Sequence, residues 1–119
     1  IKNFSLYSKA DSIEYFLTPN YDLLNTRFHI NEKYGDMAID LLDDYTSTYE
    51  AYGYYTYDDF NTFAKYIDLL EIRFNKIMKF IEDSYQEVEI LIDKSFLSPK
   101  AKEFYKESYK DRMKRLRLK

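Results

Sequence analysis

Cysteine and tryptophan are absent from this 119-residue chain, and glycine, proline and histidine are scarce, at two, two and one. Without cysteine there is no disulfide scaffold, no thiolate-bound zinc or iron-sulfur centre and no thiol nucleophile. Gly35 and Gly53 are too far apart to build a phosphate-cradling loop, which argues against nucleotide enzymes. The single imidazole, His29, forms no paired-histidine or Glu-x-x-His spacing, so neither a zinc site nor a di-iron site follows from it. No apolar run approaches the roughly 18 residues of a membrane span, and none is expected. Ile1 rather than Met stands first, a start equally compatible with processing and with trimming, so the sequence carries no information about a leader.

What is present in quantity is aromatic and charged. Phe and Tyr make up 19% of the chain, charged residues 33%, and 14 tyrosines outnumber the nine phenylalanines. The net charge of −3 conceals a partition. Residues 1–97 carry nine basic and 18 acidic side chains, whereas 98–119 carry nine basic and three acidic. Within 36–59 there are seven acids and no Lys or Arg, and seven tyrosines fall within 34–57.

Hydrophobic spacing points to helices. Across 58–94 a heptad reading puts Phe60, Ile67, Phe74, Ile81 and Val88 on one seam and Phe63, Leu70, Ile77, Ser84 and Leu91 on the other. Ala64, Met78, Tyr85 and Ile92 widen the stripe, as for a helix that meets two neighbours. With no Gly or Pro inside, and Asp58 or Asp59 as a cap, the segment reads as one helix of about 35 residues, roughly 52 Å long. Upstream, Thr18-Pro19 has the form of a helix start, and heptad-like spacing continues through Leu42, Tyr45, Tyr49 and Tyr52 to a left-handed stop at Gly53. That segment, 19–52, is either one helix or two pieces separated near Gly35. Ser98-Pro99 starts a third helix with Phe104, Tyr105, Tyr109, Met113 and Leu116 along one side. A short helix is expected over 11–17, and no strand is expected.

The expected fold is all-α: a long antiparallel helical hairpin, coiled-coil-like, with a short N-terminal helix and a basic C-terminal helix packed on it as a small bundle. Residues 1–119 read as a single helical domain. No catalytic, cofactor-binding or metal-binding residue is singled out. Asp40, Asp43 and Asp44 lie about one turn apart but lack the glycine turn of a calcium loop, and read as a solvated acidic face.

Two surfaces remain. Tyr54, Tyr55 and Tyr57, in the expected turn between the hairpin arms, together with Asp43 and Asp44, form a candidate protein-contact face, because tyrosine gives large contact area at low entropic cost. Lys110, Lys114, Arg115, Arg117 and Lys119 form a candidate polyanion-binding face. An intramolecular role for that basic helix, against the acidic part of the chain, is preferred.

The sequence therefore favours a non-catalytic interaction protein, an accessory or structural subunit of a larger assembly or a homo-oligomer. A nucleic-acid-associated protein acting through the C-terminal helix is the alternative. A third reading is a small acidic inhibitor that occupies a basic site on a partner enzyme.

Overall fold

A computed structural model describes residues 3–23, 25–29 and 40–117. Among the described residues it is helix-rich, with five α-helices and one two-stranded ladder. In chain order these are β1 (Leu6–Tyr7), β2 (Phe16–Leu17), a 3-10 turn (Thr26–Phe28), α1 (Ser47–Tyr52), α2 (Tyr57–Tyr66), α3 (Glu71–Asp83), α4 (Tyr85–Lys94) and α5 (Pro99–Leu116).

The ladder replaces the short helix expected over 11–17. Leu6 pairs with Leu17 and Tyr7 with Phe16, antiparallel, and the Tyr7 and Phe16 rings lie 5.7 Å apart. Asp11 holds the connecting turn at φ 65°, a left-handed conformation that Asp tolerates better than most residues. The Thr18 hydroxyl does not cap a helix, because it accepts the Ser5 N–H at 3.0 Å instead. Beyond Pro19 the chain stays non-helical to Leu23, with Asp22 at φ 56°. The long helix expected over 19–52 is thus limited, among the described residues, to the single turn of 3-10 helix and α1. Gly35 and its surroundings lie outside the described residues.

The 3-10 turn docks on α5. Arg27 donates to Asp111 at 3.2 Å, and the Phe28 ring meets Phe104 edge-on at 5.5 Å. Helix α1 is capped by Thr46, whose hydroxyl accepts the Tyr49 N–H at 3.0 Å. It ends as expected at Gly53, φ 71°, whose N–H returns to Tyr49.

The segment expected as one helix over 58–94 is three helices, divided at 67–70 and at Ser84. Helix α2 begins with a capping box, Thr56 as cap and Asp59 as its third residue, so the cap is Thr56 rather than Asp58 or Asp59. It stops at Asp68, φ 54°. The Leu69 N–H reaches Ala64 O at 2.8 Å and the Asp68 N–H reaches Lys65 O at 3.1 Å, the bond pair of a Schellman motif with aspartate in glycine's usual place. Helices α3 and α4 meet at Ser84. Its hydroxyl donates to Phe80 O at 2.7 Å, a back-bond that bends helices, while the Ser84 N–H to Phe80 O and Val88 N–H to Ser84 O bonds carry the ladder across.

Helix α5 matches its expected start. Ser98 accepts the Ala101 N–H at 3.3 Å and Pro99 occupies the first turn, where a missing N–H costs nothing. Lys106 pairs with Asp93 at 2.7 Å, tying α5 to the end of α4.

The core is thin. Among the described residues its buried hydrophobic side chains are Tyr55, Ala64, Phe74, Ile92, Ala101 and Met113. The inward side of α2 to α4 combines Phe60, Phe74, Ile81 and Val88 of the first heptad seam with the widening positions Ala64, Met78, Tyr85 and Ile92, whereas Ile67 of that seam is 49% exposed. The second seam largely faces out: Leu70 is 63% exposed, Ile77 49% and Leu91 66%.

Candidate interaction surface

The tyrosine-rich tract folds into a compact aromatic post around α1 and the start of α2. Tyr45 stacks on Tyr49 at 4.5 Å, Tyr49 lies tilted against Tyr55 at 4.4 Å, and Tyr55 meets Phe60 edge-on at 6.5 Å. Tyr55 is internal. Its hydroxyl accepts the Leu41 N–H at 3.1 Å and points to Asp40 at 3.5 Å. Burial pushes its pKa above 10.0, so it remains a protonated donor. Beneath it the Asp59 carboxylate is fully buried and accepts the Thr46 hydroxyl, the Thr56 N–H at 2.6 Å and the Thr56 hydroxyl at 2.9 Å.

The proposed contact residues therefore divide by depth. Asp43 and Asp44 are exposed, and Tyr54 and Tyr57 are half-buried. The Tyr54 ring stacks on Tyr52 at 5.8 Å and carries the Arg115 guanidinium 4.4 Å from its centroid. Tyr57 donates to Asn75 at 3.2 Å and packs its ring on Phe74 at 5.3 Å. Tyr55 supports this face from behind rather than lining it.

The basic helix is engaged within the chain over much of its length. Arg115 pairs with Asp111 at 2.8 Å, Arg117 with Glu82 at 3.3 Å, and Asp111 also receives Arg27. Lys110 and Lys114 are exposed one turn apart, and Lys119 lies outside the described residues. A cleft of about 410 Å³ opens between the 3-10 turn and α5, walled by Tyr55, Tyr105, Tyr109 and the guanidiniums of Arg27, Arg112 and Arg115. Burial raises the pKa of Tyr109, and burial together with a hydrogen bond to Glu89 raises that of Tyr85, whose ring stacks on Tyr109 at 5.4 Å.

His29 is exposed, its ring edge-on to Phe28. Among the described residues no three His, Asp or Glu side chains converge in a way that would hold a metal ion, and no helix is long and apolar enough to cross a membrane.

Exposed apolar side chains lie elsewhere, on α3, α4 and their flanks. Besides Leu70, Ile77 and Leu91, the exposed side chains include Ile72, Phe80 at 72% and Phe96, which has no cover at all. The signal in the sequence was the over-wide stripe over 58–94, which already held more apolar positions than one neighbour could cover. No known protein family, curated protein or solved structure gives a significant match to this chain.

Proposed function

We propose that this chain is a non-catalytic helical interaction protein, an accessory or structural subunit that completes its packing against protein partners. The observation that carries this reading is the uncovered apolar surface. Among the described residues of α3, α4 and their flanks, Leu70, Ile72, Ile77, Phe80, Leu91 and Phe96 are all at least 49% exposed, and grouped exposed apolar side chains mark protein contact sites. Helices α2 to α4 supply half of a coiled-coil-type seam, with the inner side occupied and the outer side open to a partner. The face of Asp43, Asp44, Tyr54 and Tyr57 supplies a second, polar and aromatic contact surface, with Tyr55 as its internal support.

The experiment is native electrophoresis of the tagged chain from cells that express it, compared with an Asp43→Lys, Asp44→Lys, Tyr54→Ser variant whose helix content is checked by circular dichroism. The reading expects the wild type in a stable complex of defined mass, and the variant depleted from it. A wild-type chain that migrates alone overturns the subunit reading, and a fully retained variant overturns the Tyr/Asp face as the contact.

The polyanion alternative rests on Lys110 and Lys114, since Arg115 and Arg117 already have acidic partners within the chain.

A further inference from the structure

The outer strip of α3 and α4 reads, from its N-terminal end, Leu70, Arg73, Ile77, Phe80, Ser84, Glu87 and Leu91, residues that share one side of an almost continuous helix at spacings of three, four and seven. All but Ser84 are exposed. Lys76 and Asp83, also exposed, flank the same edge. Cations occupy the first half of the strip and anions the second. A strip with that order is complementary to itself when reversed.

We infer that this strip pairs with the same strip of a second copy of the chain, antiparallel, about a two-fold axis at Phe80. The inference rests on the reading that the protein acts through protein contacts, and it names one of those partners. With the axis at Phe80, the two Phe80 rings meet across it and Arg73 falls level with Glu87 of the second copy. Leu70 and Leu91, Lys76 and Asp83, and Ile77 and the small Ser84 fall within one residue, about 1.5 Å, of level. In an antiparallel pair the same flank of each helix meets, so the charged edge of one copy faces the charged edge of the other. A parallel pairing would instead set Arg73 against Arg73 and Glu87 against Glu87.

The size is adequate. From Leu70 to Leu91 the strip runs about 32 Å at 1.5 Å per residue. Its four apolar side chains expose on the order of 450 Å², and with the charged flanks it approaches the roughly 800 Å² per partner of a standard interface. Helix α5 meets α3 and α4 through Glu82, Asp93 and the inward residues, and of the strip and its charged flank only Asp83 also lines the gap toward Met113, Leu116 and Arg117.

The test is sedentation equilibrium of the purified full chain over a wide concentration range, for the wild type, Phe80→Glu, Arg73→Glu, Glu87→Arg and the double variant Arg73→Glu/Glu87→Arg. The expected result is a wild-type dimer and a monomeric Phe80→Glu of unchanged helix content. Each single charge reversal should weaken the dimer by about ten- to a hundredfold, because like charges then face each other, and the double reversal should restore it. A wild-type monomer at every concentration overturns the pairing, as does a dimer indifferent to Phe80→Glu or a double reversal no tighter than the singles. Because the electrophoresis experiment uses Asp43, Asp44 and Tyr54, outside this strip, failure of self-pairing and failure of the subunit reading are separately visible.

Discussion

The hydroxyl of Thr46 donates to the carboxylate of Asp59, joining the caps of two successive helices in one buried cluster. Thr46 caps α1 through the Tyr49 N–H, while Asp59 closes the capping box of α2 with Thr56. Asp59→Ala should therefore break the α2 capping box, loosen the hydroxyl that caps α1 and leave the buried Thr56 hydroxyl without its acceptor, at a cost of about 2–4 kcal/mol. Urea unfolding of the variant checks this. A loss below about 1 kcal/mol would mean that the two caps are not coupled through Asp59. Thr46→Ala, which leaves the α2 box intact, should cost about 1 kcal/mol.

At Asp68 the left-handed backbone points to a gain. Asp68→Gly should stabilise the chain by up to about 1 kcal/mol, because glycine adopts positive φ without steric cost. Asp68→Val should lose about 1–2 kcal/mol for the same reason. The urea midpoints of the two variants should move in opposite directions from the wild type.

Alkaline pH should act through the buried tyrosines. Tyr55 and Tyr109 have folded-state pKa values above 10.0, so the folded chain holds these protons more tightly than the unfolded one. Their contribution to stability is complete below 10.0 and is lost as pH rises through the folded-state values. Thermal melts from pH 9 upward should show falling stability above about pH 10, and ultraviolet titration should show a late-ionising fraction of tyrosine. A single titration at the ordinary value would contradict the burial.

The Arg27–Asp111–Arg115 cluster should contribute little. Its side chains are 34%, 41% and 18% exposed, and pairs open to solvent are worth less than about 1 kcal/mol. Asp111→Asn should lower stability by no more than that, and the loss should shrink in high salt. Phe104→Ala should cost more, about 1–3 kcal/mol, because it removes the ring on which Phe28 seats. Paired melts at low and high salt separate the two effects.

Much of the helical content was legible from local chemistry. Ser98-Pro99 starts α5 and Gly53 ends α1, since cap hydroxyls, proline and glycine act through a few adjacent backbone groups. The divisions within 58–94 were hidden because Asp68 does a glycine's work and Ser84, bonded by its hydroxyl to its own preceding turn, separates α3 from α4. Neither residue type is rare in a helix. Thr18-Pro19 misled for a different reason: the Thr18 hydroxyl is taken by Ser5, 13 residues away, a competition no local window contains. Of the candidate face, Asp43 and Asp44 were read as exposed and are so, whereas the inward turn of Tyr55 depends on Leu41, Tyr49 and Phe60 arriving around it.

The seat that α5 provides for the 3-10 turn also sets an order of events. Arg27 meets Asp111 across 84 positions of sequence, and Tyr54 receives Arg115. During synthesis both earlier segments leave the ribosome well before the helix that holds them. Helices α2 to α4 close over short loops and form early, while the turn at 26–28 must wait, unanchored, for the far end of α5 to emerge.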